Sequence, residues 1–346
     1  MAEFNMRDQL TLLELAKRTN MDALQVIVEV LATTEEWLQD AIWLPANQSM
    51  SHVTTQRTSV PQGTWRGVNQ GVAPEASSTK QITEGIGILE AYSRVDKLLA
   101  ELSSNVNEFR SGEDRAFIQG LAQELSKVMF NAAHSGDTLT VYGNTTLDPA
   151  RFNGLPKRLN AQALNEVFDG GANTTTDDTS IYVVQWGPDK VHMVYPKGSP
   201  TVGVVHENLG EQTIDVTTTA GTPSLMQALV SHFKIHVGLV VRDERCIRRI
   251  ANIRSTYTSG NTMTFASSTS EIHHRMIEAL NAMPYQGAGA KIYAGLNVKT
   301  QMDIFAVDKT NVNYTIDNFS GKPITLFRGV PVKRVDAIGI REGSIS

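Results

Sequence analysis

The 346-residue chain holds a single cysteine, Cys246, so no disulfide can form within it and a reducing compartment is the simple expectation. Aromatic residues make up only 7% and charged residues 19%, below the usual quarter. No apolar run reaches the roughly 18 residues of a membrane span, and the N-terminus lacks the basic start and apolar core of a signal peptide. The sequons, such as Asn144-Thr145-Thr146, therefore carry no meaning. Basic excess is absent as well: the formal net charge is −5, which argues against a protein held to nucleic acid by phosphate neutralisation. The imbalance is local. Residues 1–45 carry three basic and eight acidic side chains, and the remainder is balanced.

What is present is enough apolar residue, 41%, for a substantial core in one large domain or two. The clearest element lies between Ser111 and Gly136. Phe117, Leu121, Leu125, Val128 and Ala132 recur at helical spacing. Ser111 with Asp114 offers a capping pair, and Gly136 a stop. The pattern predicts a spine helix over 112–135. Ahead of it, residues 1–41 read as short helices too brief to stand without a partner surface. Residues 52–60 and 79–89 read as the strands of a long finger, with a turn-rich tip through Pro61, Gly63, Gly67 and Gly71. Residues 90–109 read as helical around Val95, Leu98 and Leu102.

Further along, 179–186 and 190–195 flank Gly187-Pro188-Asp189 and predict a hairpin. Thr222-Pro223 predicts a helix through about Lys234, with a buried strand at 237–241. Ser268 and Glu271 cap a predicted helix ending before Pro284. A strand at 291–296, a helix from Lys299 to Val307 and extended segments at 323–328 and 331–338 complete an α+β chain with a mixed sheet.

Catalytic, cofactor and metal motifs are missing. His232 and His236 have zinc-ligand spacing for a helix, but Phe233 stands where a metalloprotease needs Glu. His273-His274 would point to different faces. Gly85-Ile86-Gly87 lacks the third glycine of a dinucleotide fingerprint. Gly198-Ser199 is no nucleophile elbow, and Asp177-Asp178 lacks calcium-loop spacing. One basic cluster, Arg242, Arg245, Arg248, Arg249 and Arg254, reads either as a phosphate or subunit contact or as a solvated face balanced by Asp243 and Glu244.

The order of these parts, together with Arg57-Thr58, Pro61, Trp65-Arg66, Asn69-Gln70-Gly71, Thr83-Glu84 and Val95-Asp96, resembles the major capsid (coat) proteins of tailed phages. Phe152-Asn153-Gly154-Leu155, Asp169-Gly170-Gly171, Thr179-Ser180-Ile181, Trp186-Gly187 and Tyr195-Pro196-Lys197-Gly198 extend the resemblance over most of the chain. It implies the Hong Kong 97 phage fold: an N-terminal arm (1–45), an extended loop (46–89), a peripheral domain (90–146 and 323–346) and an inserted axial domain (147–322). It also implies a subunit without enzymatic activity or cofactor, assembling into pentamers and hexamers of an icosahedral head around double-stranded DNA. The implied partners are copies of itself, a separate scaffolding protein, a portal and decoration proteins, with no membrane. The implied location is the virion, after assembly in the host cytoplasm. Arg57, Trp65, Arg66, Asn69, Lys80 and Glu84 become the expected subunit-interface residues. Lys80 is the only lysine of the finger and sits near its base, so the Lys–Asn crosslinking of some family members is not carried over. The alternatives are the shell of a cellular nanocompartment (an encapsulin), an oligomeric enzyme and, on the arginine cluster alone, a nucleic-acid-binding module.

Overall fold

A computed structural model describes residues 35–102, 105–131, 138–141, 144–147, 151–171, 178–198, 203–216, 224–254, 272–307, 314–319, 322–339, 342–343 and 345. The expected helices of the arm before residue 35, the stop at Gly136 and the caps at Thr222-Pro223, Ser268 and Glu271 lie outside these. In chain order, a helical turn Trp37–Asp40 is followed by strands β1 (Trp43–Pro45), β2 (Ser51–Ser59), β3 (Ser78–Gly85) and β4 (Gly87–Asp96). Helices Lys97–Leu102 and Val106–Phe130 come next. Then follow β5 (Thr138–Val141), β6 (Asn144–Leu147), a turn of helix Leu155–Arg158, β7 (Val167–Asp169), β8 (Asp178–Val184), β9 (Val191–Tyr195), β10 (Val204–Asp215), β11 (Leu225–Val241) and β12 (Ile247–Arg254). Helix Ile272–Asn281, β13 (Lys291–Ala294), helix Leu296–Val307, β14 (Tyr314–Phe319), β15 (Lys322–Phe327) and β16 (Val330–Arg334) complete it. The chain divides into two compact units. One takes the described residues of 1–39, 88–127 and 200–236, the other those of 40–87, 128–199 and 237–346.

The first unit packs the long helix on a small antiparallel sheet. At 1.5 Å per residue the 25-residue helix is roughly 37 Å long. It begins at Val106 and ends at Phe130, both earlier than expected. The Asn105 carboxamide oxygen accepts from the backbone N–H of Asn107 at 3.2 Å and Glu108 at 3.4 Å, so Asn105 is the cap. Ser111 sits inside the helix, its hydroxyl donating back to the Asn107 carbonyl at 2.9 Å. Ile118 and Leu121 pack with Phe233, Leu89 and Val204, and Phe109 packs with Val95, Leu99 and Ala100. Trp37 is buried and donates through Nε1 to Ser126 Oγ at 2.8 Å.

Two readings change here. Residues 90–96, expected as helix, belong to the strand Gly87–Asp96, with helix only from Lys97, and the helix expected up to Lys234 is part of the 17-residue strand β11. From Val204↔Ile235 to Asp215↔Leu225, β10 pairs antiparallel with β11, with one irregularity at Asn208/Gly210. Leu225, Met226, Gln227, Ala228 and Leu229 favour helix in isolation, but that ladder outweighs their propensity. His232 and His236 therefore lie on a strand.

The second unit is organised on a seven-stranded mixed sheet in the order β14-β15-β16-β13-β8-β12-β7. Every residue of β8 is buried. Ile181, Val183 and Ile292 of this sheet pack with Met276 and Leu280 of one helix and Val298 and Met302 of another. The expected β8–β9 hairpin does not form. After Gly187 the chain turns locally (Lys190 N–H to the Gly187 carbonyl, 3.1 Å), and β9 pairs instead with β1 and with Gly238–Val241 of β11.

Beneath the sheet's other features lies a buried ionic knot. The Arg249 guanidinium donates to Ser180 Oγ (3.0 Å), the Leu159 carbonyl (2.7 Å) and Glu342 Oε2 (2.9 Å), and lies 5.4 Å from the centre of the Tyr182 ring. Cys246 is buried, its thiol pushed up to about 11 chiefly by burial.

Candidate subunit interface

The finger is the antiparallel pair β2–β3, in register from Ser51↔Gly85 to Ser59↔Ser78. Threonines and alternating polar residues favour extended backbone, yet a two-stranded ribbon is marginal alone. Beyond Ser59 and Ser78 the tip is closed by its own hydrogen bonds. Glu75 Oε2 accepts from the backbone N–H groups of Gln62 (3.0 Å) and Gly63 (3.2 Å). Arg66 Nη1 donates to the Gln70 carbonyl at 2.9 Å, and Gly67 N–H to the Gln70 side chain at 3.1 Å. Asn69 adopts φ +68°, a left-handed turn position that asparagine tolerates better than most residues. This ordered turn presents Trp65 at full exposure, with Val68 at 92% and Val60 and Val72 also exposed.

The root is fixed by chemistry of the opposite kind. Glu84 is buried and takes a two-pronged contact from Arg158, Nη1 to Oε1 at 2.6 Å and Nη2 to Oε2 at 2.7 Å. Arg158 also donates to the carbonyls of Asn153 (3.2 Å) and Leu239 (3.0 Å). Gln56 Nε2 donates to the Arg242 carbonyl at 2.9 Å, and Asn47 brackets Val53 with two bonds, Nδ2 to the carbonyl at 2.7 Å and Oδ1 from the N–H at 2.9 Å. At Gly238 the backbone comes so close that a Cβ would meet the Gly85 carbonyl oxygen at 2.9 Å. His52 of β2 meets His192 of β9 edge-on, ring centres 5.8 Å apart. Burial, then the nearby Arg242 charge, lowers the affinity of His52 for a proton, with Glu84 opposing. His192 is lowered to about 4 by burial first, then by His52 and Arg242, against the Gly187 backbone and Asp189.

Of the expected interface residues, Arg57, Trp65, Arg66, Asn69 and Lys80 are exposed along the finger, Arg57 opposite Thr79 and Lys80 opposite Gln56. Glu84 is engaged within its own chain. Nothing in the sequence pointed to Arg158, 74 positions away, as its partner.

The other candidates resolve into internal contacts. Arg242 bonds Asp189 at 2.8 Å, Arg245 grips Asp243 at 2.9 and 2.8 Å, and Arg248 lies 3.7 Å from Glu166. With Arg249 buried, most of the basic cluster is neutralised within the chain. His232 lies between Glu90 (3.3 Å) and Glu207 (3.6 Å) and stacks on Tyr92. Among the described residues no group of three His, Cys, Asp or Glu could hold a metal, and no helix is long and apolar enough to cross a membrane.

Comparison with known proteins accounts for this architecture. No curated protein matches the chain. It is similar to a chain in the cryo-EM structure of bacteriophage Epsilon15, with 26% identity, a TM-score of 0.69, and coverage of 100% of this chain and 99% of that one. It is also similar to the bacteriophage JBD30 capsid at 11% identity and a TM-score of 0.47, covering 95% and 99% of the two chains. The family model described as major capsid protein GP7 matches residues 19–346. The chain therefore belongs to the GP7 family of major capsid proteins, subunits of the icosahedral heads of tailed phages.

Proposed function

We propose that the chain acts purely as a building block, without catalytic turnover, forming the pentamers and hexamers of the head through its finger. The arm (1–45), the finger (46–89), a peripheral domain carrying the long helix (90–146 and 323–346) and an axial domain (147–322) divide the work. Arg57, Trp65, Arg66, Asn69 and Lys80 contact a neighbouring copy, while Glu84 locks the finger's root so that those contacts are presented at a fixed angle. A separate scaffolding protein, a portal and decoration proteins join it in the host cytoplasm. The shell encloses double-stranded DNA without sequence-specific grip, consistent with a net charge of −5.

One observation carries this reading: an ordered hairpin tip exposes Trp65, Val68, Val60 and Val72 together while its root is tied down. Clustered exposed apolar side chains mark an interaction site. Covering Trp65 is worth about 3 kcal/mol per contact before the cost of association, whereas an exposed Arg66 pair adds only about 0–1 kcal/mol. Trp65→Ala should therefore reduce shell yield at every salt concentration. Arg66→Glu should reduce it more modestly and in a salt-dependent way. Both should leave the circular dichroism of the subunit unchanged. If both variants assemble like wild type at low salt, the finger is not the clamp.

A further inference from the structure

The finger's root borders a cleft of about 380 Å³, within the range of roughly 300–1,000 Å³ typical of ligand sites. Leu159, Val241 and Ile247 are its buried apolar wall, with Ile82 beside them and Leu164 at the exposed mouth. Glu244 and Glu166, the latter with Arg248 3.7 Å away, also line it against Lys80, while Glu84 and Arg158 neutralise one another in the wall. The cleft is thus an apolar slot with carboxylates at its edge.

The same chain carries a side chain suited to it. Trp65 is fully exposed and so does not fill its own cleft. Its neighbour Arg66 uses Nη1 for the Gln70 carbonyl, and its guanidinium has further N–H donors to offer a carboxylate. An indole flanked by a cation matches an apolar slot flanked by Glu166 and Glu244. Aromatic anchors entering desolvated pockets are where interface energy concentrates.

Resting on the reading that the finger grips a neighbour, we propose that Trp65 of one copy inserts into the cleft at the finger root of the next copy, with Arg66 reaching Glu166 and Glu244 at its mouth. Tip and cleft are different patches, so the contact is head-to-tail, the kind that closes into rings when the rotation permits. It also links two devices otherwise unrelated: the locked root that shapes the cleft and the tip that fills the next one.

The test is a chain carrying Thr64→Cys, beside the intact Trp65, and Leu164→Cys, assembled into shells and oxidised. Both positions are exposed, and the native Cys246 is buried. Non-reducing gels should show a ladder of covalent oligomers that stops at ring size, absent from either single variant. Normal shells without a ladder, or a ladder obtained instead with Thr64→Cys and Leu98→Cys, would overturn the assignment. A second measurement needs no variant. Trp65 is the one fully exposed tryptophan among the described residues, Trp37 being buried and Trp43 and Trp186 partly or more covered. Acrylamide quenching of wild-type fluorescence should fall severalfold from free subunits to shells, and equal quenching would sink the proposal. A wild-type chain that makes no shells would instead count against the assembly role itself.

Discussion

Acid should loosen the root of the finger, and His192 is the residue through which this is read. Its ring is 1% exposed, its Nδ1 has no hydrogen-bond partner, and His52 and Arg242 stand near it. The unfolded chain protonates a histidine near 6.5, whereas the folded chain resists until about 4. Between those values the unfolded state binds more protons, so stability rises with pH across the window and is lost as pH falls from about 6.5 to about 4. A tenfold change in proton affinity is about 1.4 kcal/mol, so the full loss is on the order of 3 kcal/mol, trimmed to about 2 kcal/mol by partial solvent screening. His52 adds in the same direction, since its affinity for a proton is also lowered by burial and Arg242. The assay is urea unfolding of free subunits from pH 7.5 to 4, wild type beside His192→Gln. The wild-type midpoint should fall through the window more steeply than that of the variant, with the two converging in slope above pH 7. Parallel curves over the whole range would refute the reasoning.

Glu342→Gln should destabilise the second unit by about 3–5 kcal/mol, because it strands the buried Arg249 charge; replacing both by Arg249→Met and Glu342→Leu should recover much of the loss in denaturant midpoint. Equal midpoints for wild type and the single variant would show that the pair is not the staple it looks like. Gly238→Ala should cost about 1–3 kcal/mol in thermal unfolding, since the new methyl meets the Gly85 carbonyl oxygen at 2.9 Å and Val194 Cγ2 at 3.0 Å, and an unchanged melting temperature would mean the root yields freely.

The finger was legible from residues alone. HVTTQRTSV is rich in Thr and Val, and glycines punctuate the tip, so local chemistry and fold agree. The long helix was legible in its body, where Ile118, Leu121 and Leu125 are buried as the spacing predicts, but not at its start. Ser111 and Asp114 imitate a cap, yet Asn105 supplies one earlier and burial of Phe109 carries the helix past them. β11 was half legible. Gly238–Val241 announces a strand through its β-branched residues, while the residues before it join only because β10 offers eleven partners. The β8–β9 hairpin failed for a related reason: Gly187-Pro188-Asp189 does turn the chain, but nothing in the turn dictates that the flanking strands pair with each other. At the candidate interface, sequence picked out the exposed tip and missed what shapes it. Arg158 and Leu164 lie far from the finger in the chain, and only the fold brings them to its root.

The most direct test of the whole account is a cryo-EM map of shells built from this chain. The account predicts closed icosahedral particles in which each tip, residues 60–77, lies on an adjacent copy, with density for Trp65 continuous with the cleft beside Leu159 and Ile247. Particles whose tips project into solvent, or fold back on their own subunit, would contradict it.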